Sequence, residues 1–348
     1  MKKRFAVAVA LALLGSCMAA QAVTIDTVTV GDAGNAGELS GAGAGGYGPD
    51  RICGSVGYTY NIGKYEVTAA QYTEFLNKVA KTDTYGLYSG YMADPTNEWR
   101  CNIQRAGSSG GYTYSVASDW ANRPVNYVSF WDACRFANWL GNGQPTGLQN
   151  ASTTERGAYT LDGYGGDDGR TIQRNAGWTW AVTSEDEWYK AAYHKGGGTN
   201  AGYWDYPMQS DIPTIPSNDI TNPDGGNNAN FYQSGYTIGP PYYRTTVGEF
   251  ENSESAYGTF DQGGNVWEWN EARPLVGGGY ASRGLRGGSF LYDDYYYLQA
   301  SYRDRHYDPT SQGISIGFRV SEVVPEPSSI IALGGGLIAL IGLRRRRA

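Results

Sequence analysis

Histidine and cysteine are scarce in this sequence, and their scarcity limits the chemistry that the chain can perform. Its 348 residues include 2 histidines and 4 cysteines. With only His194 and His306, a zinc or copper site built from three imidazole ligands cannot form. No two cysteines of the mature chain lie at the short spacing of a zinc site or of a CxxC redox motif. The sequence therefore predicts no catalytic cysteine.

Charged residues are also few, and their balance is acidic. They make up 18% of the chain, and the formal net charge is -7. A chain of this charge repels the phosphates of nucleic acids, so we expect no nucleic-acid partner. Glycine and tyrosine are abundant instead, with 50 and 29 residues. This composition predicts a loop-rich extracellular fold in which aromatic side chains supply most of the buried area.

The N-terminus has the order of a secretory signal peptide. Basic residues at 2–4 precede an apolar run at 5–14, and AQA at 20–22 supplies the small residues of a cleavage site. The segment 1–22 is therefore predicted to be removed, so that the mature chain begins at Val23. An alternative interpretation takes the LGSC sequence that ends at Cys17 as a lipoprotein box with a lipidated cysteine.

The C-terminus carries a second targeting signal. The tripeptide PEP at 325–327 precedes an apolar segment at 328–343 and an arginine cluster at 344–347. The apolar segment is at the short limit for crossing about 30 Å of hydrocarbon, with the arginines on the cytoplasmic side. This order resembles the PEP-CTERM sorting signal, which implies recognition by an exosortase in a Gram-negative envelope. The tail, 324–348, is then an address that touches the membrane before processing; a plain C-terminal anchor is the alternative.

Loss of Cys17 with the signal peptide leaves three cysteines in an oxidising compartment. Cys53 and Cys101 lie in polar stretches, RICGSVG and EWRCNIQ, and form the plausible disulfide. Cys134 lies in a helical pattern, which predicts a small buried thiol. His194 follows another helical pattern, and we expect it at the surface.

Three segments have the start signals and the apolar spacing of core helices. Thr68 and Gln71 form a possible capping box for TAAQYTEFLNKVA, Ser129 can cap SFWDACRFANWL, and Ser184 with Glu187 forms a box for TSEDEWYKAAY. VTIDTVTV at 23–30 alternates like a strand, and glycine-rich stretches predict long loops.

Three landmarks follow one another in the last third of the chain: GTFDQGGNVWEWN at 258–270, LRGGSF at 285–290 and IGFRV at 316–320. In order and spacing they resemble the sulfatase-modifying-factor domain, the fold of the formylglycine-generating enzyme. Matching segments at 62–77, 123–140 and 180–197 extend the resemblance over 60–320. It implies a C-type-lectin-like α+β domain with little regular secondary structure and three main core helices. A strand and loop region, 23–59, precedes it.

The resemblance also implies a structural Ca²⁺ site. The matching positions supply a side-chain oxygen, two backbone carbonyls and a carboxylate, and hard oxygen ligands are what Ca²⁺ requires. These positions are Asp261, Gly264, Val266 and Glu268. A second family site begins at Asn230 and Phe231, but its downstream aspartate has no clear counterpart in TIGPPYYRTT. The alternative for the first loop is an ion-free turn with both carboxylates facing solvent.

The catalytic match to the family fails. Counted from GGS at 287–289, the two copper-binding cysteines of the family's enzymes fall on Tyr292 and Tyr297. A copper(I) site that activates oxygen needs soft thiolates, which phenols do not replace. We therefore expect no copper and no residues with the family's catalytic role.

The segment at 290–308, FLYDDYYYLQASYRDRHYD, has the composition of a recognition surface. Tyrosines give rigid amphipathic contact area, and arginines give planar donors. The candidate ligand-binding residues are Tyr292, Tyr295, Tyr296, Tyr297, Arg303, Arg305 and His306. Solvated loop packing explains the same composition equally well, and the segment also resembles the variable region of retroelement-diversified lectin-fold proteins.

Together these features predict an exported, non-catalytic, lectin-like binding or structural protein, sorted to the envelope, the outer surface or an extracellular polysaccharide matrix. Its expected partners are an exosortase at the tail and a glycan or protein surface at the candidate ligand-binding residues. The alternative is an oxidase like the formylglycine-generating enzyme that modifies a protein side chain. That alternative needs a reactive centre, and the sequence offers none.

Overall fold

Short helices and strands joined by long loops make up the part of the chain that the computed structural model describes, residues 22–273, 282–291, 294–303 and 306–324. The helices are α1 (Ala69–Val79), α2 (Ser118–Ala121), α3 (Phe130–Gly141) and α4 (Glu185–Tyr193). The strands are β1 (Thr27–Val30), β2 (Glu38–Ser40), β3 (Arg51–Cys53), β4 (Tyr60–Gly63), β5 (Ile103–Ala106), β6 (Thr113–Val116), β7 (Trp180–Val182), β8 (Trp267–Asn270), β9 (Arg283–Arg286), β10 (His306–Tyr307), β11 (Ile316–Phe318) and β12 (Val320–Val323).

The three main helices begin where the sequence predicts. The Thr68 hydroxyl accepts the N–H of Gln71 and the Gln71 side chain accepts the N–H of Thr68, so α1 starts at a complete capping box. Ser184 and Glu187 make the same box at α4. Ser129 caps α3 together with Asp132, a partner that the sequence analysis missed. The prediction of three main core helices is confirmed.

Two four-stranded sheets contain strands from distant parts of the chain. The first has the order β1-β4-β12-β7, and all its pairs are antiparallel. The second has the order β10-β9-β8-β11, in which β11 runs parallel to β8. Because β11 ends at Phe318 and β12 begins at Val320, Arg319 stands alone between the two sheets. The mixed sheets and short helices make an α+β fold, as predicted.

Aromatic rings join the helices to the second sheet in the main core. The Phe136 ring on α3 lies 5.3 Å from the Phe75 ring on α1 and 5.4 Å from the Phe318 ring on β11, measured between centroids. Both contacts are edge-to-face, the favourable geometry for aromatic pairs. The composition-based expectation that aromatic side chains fill the core agrees with this packing.

The suggested disulfide between Cys53 and Cys101 is absent. All three cysteines of the described residues are free and buried. Cys53 lies in a small cluster with Trp188, whereas Cys101 lies in the main core. The polar residues beside both cysteines suggested a disulfide, but they do not show in which hydrophobic cluster each side chain is buried. The buried thiol predicted at Cys134 is confirmed.

The expected surface position of His194 is wrong, because this residue is only 1% exposed. Its ring stacks on Tyr257, and its Nδ1 lies 2.7 Å from the Tyr257 hydroxyl. The position directly after α4 indicates an exposed helix end, but Tyr203 and Tyr257, from the loops that follow α4, pack against the His194 ring.

No helix among the described residues is long and apolar enough to cross a membrane. The signal segment 1–21 and the apolar part of the tail, 328–343, lie outside the described residues. The described chain runs to Val324, one residue beyond the end of β12.

Deleting 325–348 is expected to leave the fold intact, because β12 ends at Val323. Deleting 320–348 is expected to abolish cooperative unfolding, because it removes the strand that lies between β4 and β7. Thermal melting of the two shortened chains beside the full chain, followed by circular dichroism, measures both effects. Loss of the cooperative transition in the shorter deletion would contradict the placement of the tail outside the core.

Candidate functional site

A cleft of about 540 Å³ opens between a glycine-rich loop near the N-terminus and the segment 294–302. Its walls are mostly aromatic, with one carboxylate and one amide among them. The lining residues are Gly45, Gly46, Tyr47, Asp294, Tyr296, Tyr297, Gln299 and Tyr302. No cysteine, histidine, lysine or arginine is among these described wall residues, and Asp294 is the ionisable carboxylate among them.

Backbone contacts hold the two walls of the cleft together. The N–H of Arg303 donates to the Tyr47 carbonyl at 2.8 Å, and the N–H of Gly41 donates to the Ser301 carbonyl at 2.9 Å. Gly46 lies so close to Ser301 that any Cβ would clash with its carbonyl group. Only glycine permits this approach. As a result the Tyr47 ring stacks on the Tyr302 ring, at 6.2 Å and 23°.

The opposite wall is a single 3₁₀ turn, Tyr295–Leu298, that begins at Asp294. Asp294 Oδ1 accepts the N–H of Tyr296 at 2.9 Å. The Tyr297 ring packs edge-to-face against Tyr302 at 4.9 Å and lies 5.8 Å from the Trp267 ring. Tyr47 and Tyr296 remain 65% and 50% exposed, so their ring faces are available to a ligand.

The structure brings only some of the candidate ligand-binding residues to this cleft. Tyr296 and Tyr297 line it, and the Tyr295 ring lies 4.4 Å from the Tyr296 ring at a tilt of 34°. Arg303 points elsewhere, into an ion pair with Glu185. His306 lies in β10, opposite Gly284. Tyr292 and Arg305 lie outside the described residues.

Several wall residues were missed by the sequence analysis. Gln299 and Tyr302 lie in the segment 290–308, whose composition had already indicated a recognition surface. Tyr47 follows the stretch GAGAGG, which carries no periodicity and no motif. Only its contact with Ser301 and Arg303, more than 250 residues away, reveals that this loop forms half of the cleft.

A buried ion-pair network supports the cleft from behind. Glu185, at the start of α4, accepts bonds from Arg286 at 2.8 Å, from Arg303 at 2.9 Å and from Arg51 at 3.0 Å. Arg286 also donates to the carbonyls of Ala300 and Tyr302. The network therefore positions the backbone that carries the Tyr302 wall.

The electrostatics of this network favour the ionised carboxylate. Burial by itself raises the pKa of Glu185, but Arg286 and Arg303 outweigh burial and lower that pKa to about 2. Burial also raises the pKa of the neighbouring Cys53 thiol, so Cys53 remains protonated although the guanidinium of Arg286 lies 3.4 Å from its sulfur.

The residues at the cleft do not fit a copper centre. Tyr297, one of the two positions where the family's enzymes carry a cysteine, packs its ring between Trp267 and Tyr302. The described cysteines are buried away from the cleft walls. Copper(I) requires thiolate or comparably soft ligands, and the described walls contain none.

The loop at 261–268, where the sequence predicts a cation, is a tight turn with several residues in the left-handed backbone region. Asp261, Gly264 and Asn265 all have positive φ, at 60°, 87° and 54°. A Cβ at Gly264 would clash with the backbone of Asn230, and the Asn230 carbonyl accepts the N–H of Asn265 at 2.7 Å. Asn230 therefore lies directly on this loop, whereas the Phe231 side chain is buried in a separate cluster with Tyr206.

Glu268, the predicted carboxylate ligand of the loop, is occupied by other partners. Its two oxygens each accept a bond from Arg319 at 2.6 Å, and Oε2 also accepts the indole N–H of Trp188 at 2.8 Å. Glu268 and Arg319 are both 0% exposed. Among the described residues no three His, Cys, Asp or Glu side chains are grouped as metal ligands. Any cation here would depend partly on backbone or water oxygens.

Two family models match this sequence, and together they cover most of the chain. The family model for the sulfatase-modifying factor enzyme 1-like domain matches residues 54–323. The chain therefore belongs to this family. The model for the PEP-CTERM protein-sorting motif matches residues 323–347. That motif implies recognition by an exosortase and export to the cell envelope of a Gram-negative bacterium, so the chain is an exported member of the family.

Three solved structures are similar to this chain. CarF has 22% identity, a TM-score of 0.49, and coverage of 87% of this chain and 99% of its own. Treponema denticola variable protein 1 has 18% identity, a TM-score of 0.47, and coverage of 87% and 98%. PvdO from Pseudomonas aeruginosa has 20% identity, a TM-score of 0.45, and coverage of 86% and 94%. A comparison with curated proteins found no match.

Proposed function

We propose that this exported protein is non-catalytic and binds a neutral saccharide in the tyrosine cleft. The observation that carries the proposal is the stacked pair of rings, an exposed Tyr47 on a half-buried Tyr302, facing a wall that carries Asp294. A binding role of this kind suits a protein that is sorted to the envelope or into a polysaccharide matrix.

The chemistry of the walls matches a sugar ring. The C–H faces of a pyranose pack on flat aromatic rings, which are rigid and lose little entropy on binding. The carboxylate of Asp294 accepts hydrogen bonds from sugar hydroxyls. Gln299 is 5% exposed and its amide nitrogen already donates to the Tyr206 hydroxyl at 2.9 Å, so it shapes the wall rather than meeting a ligand. Of the two Asp294 carboxylate oxygens, Oδ1 caps the 3₁₀ turn, which leaves Oδ2 for a ligand hydroxyl.

The charge of the cleft favours a neutral saccharide over an acidic one. Asp294 is the charged residue among the described walls, and no cation accompanies it there. The net charge of the chain is -7. An acidic polysaccharide would meet repulsion without an ion-pair partner.

Replacing Tyr47 by Ala is expected to weaken saccharide binding about two- to tenfold. An aromatic stacking contact is worth roughly 0.5–1.5 kcal/mol, and 1.4 kcal/mol corresponds to a factor of about ten in Kd. An array of neutral and uronic-acid-containing oligosaccharides identifies a ligand, and isothermal titration calorimetry then gives Kd for the variants.

Tyr91→Ala is the matched control, because Tyr91 is 61% exposed but lies outside the cleft. It should bind like the wild type. The proposal fails if no neutral saccharide binds, or if Tyr47→Ala and Tyr91→Ala give the same affinity.

A further inference from the structure

A second cleft, of about 420 Å³, lies apart from the tyrosine cleft and shares no described lining residue with it. Its walls come mainly from the segments 91–99 and 312–314, which are far apart in the sequence. We call it the acidic cleft, because Asp94 and Glu98 line it and no lysine, arginine or histidine is among the wall residues that the structure describes.

Two stacked tyrosine rings form one wall of the acidic cleft. The Tyr91 and Tyr127 rings lie 5.7 Å apart, with 30° between their planes. Asn97 fixes this pair, because its Nδ2 donates to the Tyr91 carbonyl at 2.8 Å and its Oδ1 accepts the Tyr127 hydroxyl at 2.9 Å. Tyr127 is 2% exposed, whereas Tyr91 is 61% exposed. The wall therefore offers a ligand the outer face of a ring whose position is fixed.

Both carboxylates of the acidic cleft are held in place, and each keeps one oxygen for a ligand. Asp94 Oδ1 accepts the N–H of Thr96 at 2.9 Å and its hydroxyl at 2.7 Å. Glu98 Oε2 accepts the Tyr243 hydroxyl at 2.6 Å. The hydrogen bonds from Thr96 lower the pKa of Asp94, so this carboxylate is ionised at neutral pH. Asp94 Oδ2 and Glu98 Oε1 remain available.

Arg100, which is close to these carboxylates in the sequence, forms no ion pair with either of them in the described part of the chain. Its guanidinium donates to the carbonyls of Pro95 and Asn97 and lies 5.7 Å from the Trp120 ring. The carboxylates of the acidic cleft therefore favour a cationic ligand.

Trp99 adds a hydrogen-bond donor to the wall. Its indole N–H is buried and has no hydrogen-bond partner among the described residues. A buried donor without a protein acceptor is usually satisfied by a water molecule or by an oxygen of a bound ligand. A ligand of the acidic cleft thus needs a cation and an acceptor close together.

We propose that the acidic cleft binds a protonated amino-sugar unit of a polysaccharide. Such a unit supplies an ammonium group for the two carboxylates, a flat C–H face for the Tyr91 ring and hydroxyl oxygens that accept from Trp99. A lysine side chain supplies the ammonium group but no acceptor beside it. The proposal concerns a different cleft and a charged ligand, so it does not depend on the neutral saccharide proposed for the tyrosine cleft.

The first test compares a glucosamine tetramer with its fully N-acetylated form, by isothermal titration calorimetry on the purified full chain. At about pH 5.5 the carboxylates are ionised and the amines are protonated. N-acetylation keeps the sugar rings but removes the charge. The glucosamine tetramer should bind about tenfold more tightly or better, because hydrogen bonds to charged groups are the stronger ones. Added NaCl should weaken its binding by screening.

The second test uses substitutions in the walls of the acidic cleft. The double variant Asp94→Asn with Glu98→Gln should lose binding of the glucosamine tetramer, because it removes both charges. Tyr91→Ala should weaken this binding about two- to tenfold, the value of one aromatic contact. Glu98 and Tyr91 are exposed, so all variants should melt like the wild type by circular dichroism.

Two matched controls should keep the wild-type affinity for the glucosamine tetramer. Asp219→Asn removes an exposed carboxylate that accepts the N–H and the hydroxyl of Thr221, in the same turn that Asp94 makes with Thr96, but outside the described walls of both clefts. Tyr47→Ala removes an exposed ring of the tyrosine cleft.

Four outcomes would overturn the assignment. The glucosamine tetramer does not bind, or it binds no more tightly than the N-acetylated form. The folded double variant keeps the wild-type affinity, or Asp219→Asn loses as much affinity as the double variant does. A tetralysine peptide that binds as tightly as the glucosamine tetramer would equally exclude an amino-sugar site.

Discussion

Replacing Arg319 by Met is expected to cost about 3–5 kcal/mol of folding free energy, the usual cost of breaking a buried ion pair. Arg319 is the single residue between β11 and β12, and it is 0% exposed. Its loss would leave the carboxylate of Glu268 buried without a counter-ion. The carbonyls of Gly63 and Phe260 would lose their donors in the same step. Urea unfolding at pH 7 measures the change.

The double variant Glu268→Gln with Arg319→Met is the control for this prediction. It removes both charges, so it should be more stable than Arg319→Met alone, by a coupling free energy of about 1–3 kcal/mol. An Arg319→Met protein within about 0.5 kcal/mol of the wild type, the range of ordinary surface substitutions, would show that the pair does not hold the two sheets together.

Replacing Glu185 by Gln is expected to cost about 3 kcal/mol or more, and to weaken any binding at the cleft. The substitution leaves the buried guanidinium of Arg286 without its carboxylate, together with that of Arg303. Arg303 and Arg286 hold the backbone of Tyr47 and Tyr302, so their displacement should open the stacked pair. Asp50→Asn, in the loop beside the cleft, is a control with no ion pair among the described residues.

The contribution of Glu185 to the free energy of unfolding should also depend on pH, and it should decrease at low pH. Its folded-state pKa is about 2, against an ordinary value of 4.5. The ionised Glu185 carboxylate stabilises the folded state fully above about pH 4.5. This stabilisation is lost as the carboxylate is protonated when the pH falls towards 2. The shift corresponds to about 3 kcal/mol. The difference in unfolding free energy between wild type and Glu185→Gln, followed from pH 7 to pH 2, should therefore shrink; a constant difference would contradict the ion-pair network.

Local signals in the sequence were sufficient for the helices. Each main helix has its start signal within four residues, as at Thr68 and Gln71 or at Ser184 and Glu187. Such short-range hydrogen bonds do not depend on the rest of the fold. The landmarks were equally reliable, because GNVWEW enters β8 and GFRV begins in β11, the parallel neighbour of β8, and ends in β12.

Side-chain partners could not be predicted in the same way. The sequence analysis placed Arg303 in a ligand-binding groove, but the structure places it on Glu185. It predicted Glu268 as a cation ligand and gave it no protein partner, whereas in the structure both Glu268 oxygens accept bonds from Arg319. A charged side chain that leaves water pairs with whichever opposite charge the fold brings near it, and these partners are separated by 118 and 51 residues.

By itself, the sequence determined the family, the C-terminal sorting signal and the helix starts. These features depend on residue identity and short spacing, which can be read from the sequence without knowledge of the fold. The tertiary structure alone decided that Tyr47 faces Tyr302, that Cys53, Cys101 and Cys134 stay unpaired and that Glu268 pairs with Arg319. Each of these results depends on chain segments that are far apart in sequence. Such segments come into contact only in the folded chain, when the two sheets pack around the core.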